Sequence, residues 1–230
     1  MVRNEKVEVN LKHIFKDWSH YLNVLLTSKY IINLISFINH VYKVKHIFPI
    51  NKESLFRPFQ LLSFYKVRVV IIGKEPYHSK VNTGIPFAQE DCIFELEKGL
   101  SNIEKCIERT QYDKFNLYMD TKLTEWLEQG VLPLYSSLTV EKDKPGSHLI
   151  YWRNFIREVV KAISLNRNGI IFILWGEEGQ YFKQFINKDK HYILEYSLPD
   201  SVDKDWNCTN FSECNSIIKD NNGEEFCIKW

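Results

Sequence analysis

The chain lacks a sizeable net charge, a long apolar run and any cluster of glycine or proline. Thirty basic residues stand against 29 acidic ones, so no overall positive field indicates nucleic-acid binding. No apolar stretch approaches the roughly 20 residues of a transmembrane helix, and the N-terminal segment has no apolar signal core, so we expect no membrane partner. Nine glycines and seven prolines form no linker. We therefore predict a single domain over residues 1–230.

Cysteine and histidine are present without the spacings that would give them a function. The five cysteines form no CxxC pair and are irregularly spaced (Cys92, Cys106, Cys208, Cys214 and Cys227). An odd, irregular set fits a reducing compartment, so we expect an intracellular protein of the nucleus or cytoplasm. The histidines show no metal-ligand spacing, and no glycine-rich phosphate loop or nucleophile elbow occurs. We expect no metal and no cofactor.

Buried strands are the clearest feature that is present. Residues 67–72 (VRVVII), 131–134 and 169–175 are apolar runs with little polar alternation, which is typical of strands covered on both faces, and 191–194 is a shorter fourth. Helix-patterned segments lie before and between them, at 13–26, 29–45, 52–59, 99–110, 120–129, 151–165 and 177–187. This order predicts an α/β, three-layer sandwich with a central, mostly parallel four-stranded sheet flanked by helices.

Ligand sites of such sheets lie at the carboxyl ends of the strands. The loops that matter therefore begin at Gly73, Tyr135, Gly176 and Glu195. Ser28 is positioned to cap the second helix.

The loop sequences carry an ordered set of motifs. Residues 73–78 are GKEPYH, 83–87 are TGIPF, and 130–134 (GVLPL) are followed by SLTV at 137–140 and by Ser147-His148; 171–176 are IFILWG. In this order they resemble the family-1 uracil-DNA glycosylases, whose first motif is Gly-Gln-Asp-Pro-Tyr-His, and the wording of residues 83–87 is closest to the poxvirus members. The resemblance runs from about residue 14 to the end.

The resemblance implies a chemistry of base flipping and glycosidic-bond cleavage. In the family an aspartate positions water, a histidine donates a hydrogen bond to the departing uracil anion, and an asparagine binds uracil's polar edge. A phenylalanine stacks beneath the base, and a tyrosine excludes thymine's methyl group. By this resemblance Phe87 is the stacking residue and Tyr77 the methyl-excluding residue of a base pocket.

Three positions depart from the family pattern. Glu75 replaces the aspartate, and its extra methylene moves the carboxylate by about 1 Å, enough to cost on the order of a hundredfold in rate. Tyr135 replaces the asparagine, and a phenol lacks the paired donor and acceptor of an amide. We predict that its ring plugs the pocket. Leu198 takes the place of the histidine and cannot donate a hydrogen bond, a loss of roughly 10²–10³ in rate.

The rim of the predicted pocket has gained acidic residues. His78, Lys80, Ser147, His148 and Ser201 are candidates for contacts to DNA by resemblance. Against them, the segments 89–97, 177–178 and 199–205 together contain nine carboxylates (Glu90, Asp91, Glu95, Glu97, Glu177, Glu178, Asp200, Asp203 and Asp205). Carboxylates repel phosphates, and phosphate contacts supply most non-specific DNA affinity, so we expect weakened DNA binding.

Three functions remain open. The first is an inactive glycosylase-like protein that serves as a scaffold for a protein partner, such as replication or repair machinery, as poxvirus relatives do. The second is a module that binds DNA without cleaving it. The third is an active uracil-DNA glycosylase that uses Glu75 as its carboxylate.

Overall fold

A computed structural model of the chain describes residues 11–78, 82–90, 95–111, 119–201 and 206–230. Its centre is a parallel four-stranded sheet flanked by helices, as predicted. The strands are β2 (Val69–Gly73), β3 (Val131–Tyr135), β5 (Ile171–Trp175) and β6 (Tyr192–Tyr196), in the order β3-β2-β5-β6. A separate antiparallel pair joins β1 (Ile47–Phe48) to β4 (Val140–Glu141).

The α-helices of the described ranges vary widely in length. Two are long, α3 (Lys29–Val44) and α7 (Leu149–Asn166), and α5 (Lys98–Gln111) and α9 (Asn210–Asn222) are intermediate. Five others are single turns: α1 (Trp18–Tyr21), α2 (Asn23–Leu26), α4 (Arg57–Leu61), α6 (Thr124–Glu128) and α8 (Gly176–Gln180). None of these helices is long and apolar enough to cross a bilayer.

The four predicted strands are confirmed to within two residues at each end. All residues of β2, β3 and β5 are buried, which explains why their sequences are unbroken apolar runs, whereas the edge strand β6 is only partly buried. The register pairs Gly73 with Tyr135 at the carboxyl ends of β2 and β3. The two loops that follow these strands therefore start side by side.

Several helix boundaries differ from the predictions. The helix expected over 13–26 is broken, because Lys16 adopts φ 46° and only the short helices α1 and α2 follow it. The helix expected over 177–187 is α8 followed by a 3₁₀ turn over Tyr181–Phe185. Helix α9 was not predicted. The predicted cap of α3 is confirmed, since Ser28 Oγ accepts a hydrogen bond from the Ile31 N–H at 3.3 Å.

Candidate base-binding pocket

The loops at the carboxyl ends of the strands enclose one cavity of about 490 Å³. Its walls are residues 74–78 after β2, residues 97–99 at the start of α5, and residues 198–201 after β6; Phe87 and Tyr135 lie at its base. The structure thus brings together Glu75, Tyr77, Phe87, Tyr135 and Leu198, which the sequence placed in one site. We call Gly73, Phe87 and Tyr135 the floor, and the open space above them the cleft.

Phe87 is held rigidly in the floor. The residue is buried, adopts φ 67°, and its ring lies 5.2 Å from the Trp175 ring, centroid to centroid. A Cβ atom on Gly73 would lie 2.6 Å from Phe87 Cε1, so only glycine at the end of β2 admits this ring.

Tyr135 completes the floor by packing against Phe87. The two ring centroids are 4.8 Å apart at an interplanar angle of 61°, and the Phe87 N–H donates a 2.8 Å hydrogen bond to the Tyr135 hydroxyl. Tyr135 is only 5% exposed, and burial raises the pKa of its hydroxyl, which therefore stays protonated. A base between two rings needs about 7 Å, twice the contact distance of about 3.5 Å. No such space separates Tyr135 from Phe87.

Tyr77 borders the floor on the side of α5. Its hydroxyl donates a 3.3 Å hydrogen bond to the Phe87 carbonyl. A Cβ atom on Gly99 would lie 3.0 Å from the Tyr77 hydroxyl oxygen. Burial raises the pKa of the Tyr77 hydroxyl. Tyr77 is therefore locked between Phe87 and α5.

The Glu75 carboxylate faces the loop after β4. It accepts the Gly146 N–H at 2.8 and 3.1 Å, one distance to each oxygen, and lies 3.6 Å from Lys74 Nζ and 3.9 Å from His78 Nε2. The carboxylate is therefore fixed in the wall of the cleft, where it can accept a hydrogen bond from a ligand hydroxyl or a water. Gly146 was not predicted as a site residue, because any residue except proline supplies a backbone N–H.

Leu198 adds an apolar surface to the opposite wall. A Cβ atom on Gly176 would lie 2.5 Å from Leu198 Cγ, so the leucine packs directly on the glycine turn that follows β5. The side chain at this position offers no proton donor to the cleft.

Two of the candidate DNA contacts line the cleft. The His78 ring stacks at 6.2 Å on Phe48 and remains partly exposed. Ser201 is exposed at the mouth, where its hydroxyl donates to the Leu198 carbonyl at 2.7 Å. Lys80 lies outside the described residues.

The other two candidates do not line the cleft, which counts against their predicted contacts to DNA. Ser147 Oγ accepts the Glu141 N–H at 2.9 Å and so stabilises the turn after β4. His148 is 4% exposed, its Nδ1 lies 2.8 Å from Thr139 Oγ1, and burial lowers its pKa. A buried, neutral imidazole is unsuited to a phosphate contact.

Among the described residues, fewer of the predicted rim acids line the cleft than expected. Glu97 and Asp200 line the cleft, and both act to raise the pKa of Tyr135. Two other carboxylates are paired, Glu90 with Lys122 at 3.8 Å and Glu178 with Arg153 at 3.3 Å. The predicted acids Asp91, Asp203 and Asp205 lie outside the described residues.

The cleft also contains positive charge. Lys74 and Lys98 line it together with His78. The wall charges are therefore mixed, which is compatible with a ligand that carries phosphates and hydroxyls. No group of three or more His, Cys, Asp or Glu side chains in the described part of the chain could hold a metal ion.

Comparison with known proteins assigns the chain to a protein superfamily. The family model described as "Uracil DNA glycosylase superfamily" matches residues 59–219. The chain belongs to the uracil-DNA glycosylase superfamily. It is 40% identical over 190 residues to the "Uracil-DNA glycosylase" of Borrelia duttonii, covering 81% of this chain and 83% of that one. The protein of the same name from Buchnera aphidicola is 34% identical over 206 residues, covering 87% and 92%.

Solved structures of the superfamily share the fold. Mimivirus uracil-DNA glycosylase matches with a TM-score of 0.80 at 21% identity, covering 97% of this chain and 91% of that one. A variant of the mimivirus protein in complex with UGI matches with a TM-score of 0.81 at 22% identity, covering 97% and 92%. The family model and the curated relatives confirm membership of the superfamily, whereas a special likeness to poxvirus members is not shown.

Proposed function

We propose that this protein binds DNA within the uracil-DNA glycosylase superfamily but does not excise uracil. The observation that carries the proposal is the contact of Tyr135 with Phe87. In the family a phenylalanine stacks beneath uracil; here Tyr135 packs on Phe87 at 4.8 Å and takes the Phe87 N–H bond at 2.8 Å. A base that enters would have to displace a buried, hydrogen-bonded ring.

The other two replaced positions support the same proposal. Leu198 offers no donor for the charge that develops on a departing uracil, a loss of roughly 10²–10³ in rate. Glu75 keeps the carboxylate, but the Gly146 N–H holds both of its oxygens. Losses within one catalytic unit are not additive, yet together they leave little catalytic machinery.

DNA is the ligand that the remaining cleft supports. The superfamily acts on DNA, and Lys74, Lys98 and His78 line the open part of the site. A protein partner from replication or repair machinery stays a prediction, since no surface feature of the described residues specifies one.

An active uracil-DNA glycosylase is the second candidate, and two observations favour it. Relatives that are 34–40% identical carry the name "Uracil-DNA glycosylase", so the comparisons favour an enzyme over an inactive scaffold. The Glu75 carboxylate also remains in the wall of the cleft. The two candidates make opposite predictions for the fate of uracil in DNA.

A single-turnover assay separates them. Excess protein is incubated with single-stranded DNA that contains one uracil, and abasic product is detected by alkaline strand cleavage. We expect no product above the protein-free blank. Product that disappears in Glu75→Gln but persists in Glu178→Gln would establish the active enzyme.

Fluorescence anisotropy tests DNA binding in parallel, since phosphate contacts make the affinity for DNA fall steeply with salt. If there is no binding at low salt, the DNA-binding part of the proposal is wrong.

A further inference from the structure

A second cavity lies at the amino ends of the strands, at the opposite end of the sheet from the cleft. It has a volume of about 240 Å³. Its walls are Arg68 before β2, residues 167–170 before β5, Tyr192 at the start of β6, and the last turns of α9. Among the described residues, none lines both this cavity and the cleft.

Two arginines make the cavity positively charged. Arg68 and Arg167 line it, and no acidic side chain of the described residues does. In the described part of the chain neither arginine pairs with a carboxylate, whereas Arg153 and Arg157 lie 3.3 and 2.9 Å from a glutamate oxygen. Burial also lowers the pKa of Arg167, so its charge is partly removed from water. A partly buried cation without a carboxylate partner favours an anionic ligand.

Both guanidinium groups keep N–H donors for such a ligand. A guanidinium has five N–H donors. Among the described residues, Arg68 donates to the carbonyls of Phe226 and Gln129, and Arg167 donates to the Phe64 carbonyl. These bonds hold the two side chains in place and leave most of their donors available.

The remaining walls are largely apolar, and the space between them is small. The apolar side chains that line the cavity are Val67, Ile170, Ile171, Ile217 and Ile218. The Tyr192 ring is fixed at the rim, since its hydroxyl donates to Asn221 Oδ1 at 3.1 Å. At about 30 Å³ per water molecule the cavity holds about eight waters, so a ligand of about eight to ten non-hydrogen atoms fits.

The position of α9 favours a carboxylate over a phosphate. The cavity is bordered by the carboxyl end of this helix, where the helix dipole places partial negative charge. This charge opposes a doubly charged phosphate more than a singly charged carboxylate. A guanidinium also matches the two oxygens of a carboxylate with two parallel N–H bonds.

We propose that this cavity is a binding site for a small monocarboxylate with an apolar body. Arg68 and Arg167 bind the carboxylate, and the isoleucines and Tyr192 contact the body. The inference goes beyond the proposed function and does not depend on it, because the cavity and the cleft lie at opposite ends of the sheet.

A ¹H–¹⁵N NMR titration of the full chain with phenylacetate tests the proposal. The ligand should shift the amide signals of Gly169 and Asn222 at the cavity, with a Kd of about 1 mM, and leave Gly99 at the cleft unchanged. No shift of Gly169 or Asn222 up to about 20 mM ligand would overturn the inference. Shifts confined to Gly99 would place the carboxylate in the cleft and would overturn it too.

Two further ligands test the chemical class. Phenylacetamide has the same size and no charge, so it should bind at least about 10-fold more weakly than phenylacetate. Equal affinities would show that the arginines do not bind the carboxylate. Inorganic phosphate should also bind more weakly, and tighter binding of phosphate would overturn the assignment to a carboxylate.

Variants locate the ligand in the cavity. Arg167→Gln should weaken phenylacetate binding at least about 10-fold, because it removes a charged hydrogen-bond donor. Arg157→Gln, which removes an arginine of α7 outside the cavity, is the matched control and should leave the affinity unchanged. Equal losses in the two variants would contradict a specific role of Arg167.

A filled cavity provides a test that keeps both arginines. Ile217→Phe places a larger side chain in the wall and should weaken phenylacetate binding at least about 10-fold by occupying the space for the ligand's body. Unchanged affinity in this variant would overturn the inference. If Arg167→Gln does not fold, Ile217→Phe and the comparison with phenylacetamide still decide the question.

Discussion

The floor of the pocket is sealed and uncharged, whereas the cleft directly above it is open and lined with charges. In the floor, Phe87 and Tyr135 are 3% and 5% exposed and are joined by one hydrogen bond. In the cleft, Glu75, Lys74 and Lys98 lie around a cavity of about 490 Å³. A single residue accounts for the difference: Tyr135 places a phenol in the floor where the family has an amide.

This contrast shows that a base site and a sugar-phosphate site can be lost separately. The floor depends on side-chain volume at two positions, Phe87 and Tyr135, so a larger residue is enough to close it. The cleft depends on the spacing of three loops at the end of the sheet, which the parallel register fixes. The scaffold therefore preserves the cleft even when the floor is occupied.

The largest expected effect comes from restoring the family's residue types. The triple variant Glu75→Asp, Tyr135→Asn, Leu198→His should excise uracil at least about 100-fold faster than the native chain, since it regains an electrostatic donor and the carboxylate position. The single-turnover assay measures the rate. Glu75→Asp alone, which leaves Tyr135 in the floor, is the control and should show no gain. A folded triple variant without activity would mean that other positions also closed the site.

The second effect distinguishes the two regions by stability. Tyr135→Ala removes a buried aromatic ring and should lower the free energy of unfolding by about 3–5 kcal/mol. Ser201→Ala at the mouth of the cleft should change it by less than about 0.5 kcal/mol. Urea denaturation at constant m-value measures both. Similar losses for the two variants would contradict the contrast between a packed floor and an open cleft.

A smaller effect concerns the charge of the cleft. Glu97→Gln combined with Asp200→Asn should strengthen DNA binding about 2- to 10-fold, the range expected for charges in contact with solvent, whichever bases the strand carries. Anisotropy titrations measure it. Glu128→Gln is the control, because α6 precedes β3 and lies at the opposite end of the sheet. An unchanged affinity would show that the phosphates of bound DNA do not lie near these carboxylates.

The smallest effect is a pH dependence from two buried histidines outside the cleft. Burial lowers the pKa of His148 and of His191, so both bind protons more readily when the chain is unfolded. Their contribution to stability is complete above the ordinary histidine pKa of about 6.5 and is lost as the pH falls through the lowered value. Unfolding free energy should therefore fall between about pH 7 and 5, and less so in His148→Gln. An identical pH profile in that variant would assign the effect elsewhere.

The sequence predicted the strands and the membership of the pocket more accurately than the helices and the hydrogen bonds. Buried strands are short apolar runs whose residues all point into the core, so 131–134 and 169–175 were recognisable. The pair β1–β4 joins residues about 90 positions apart and has no local pattern. Helix α9 is polar at most positions, so it gave no clear apolar stripe.

In the site, too, the residues that line the pocket were easier to predict than the hydrogen bonds between them. Glu75, Tyr77, Phe87, Tyr135 and Leu198 follow strands or motifs, and strand ends converge in a parallel sheet. The orientation of Ser147 and His148 depends on partners at Glu141 and Thr139, which no spacing reveals. The Gly146 N–H is a backbone group without a residue-type signal.

Binding of free uracil tests the central claim most directly, because it depends on the floor alone and not on DNA or catalysis. Saturation-transfer NMR with uracil should give no signal for the native protein or for Tyr135→Phe, and a clear signal for Tyr135→Ala. A uracil signal with the native protein that is as strong as the signal with Tyr135→Ala would show that the base site is open, and would contradict the account.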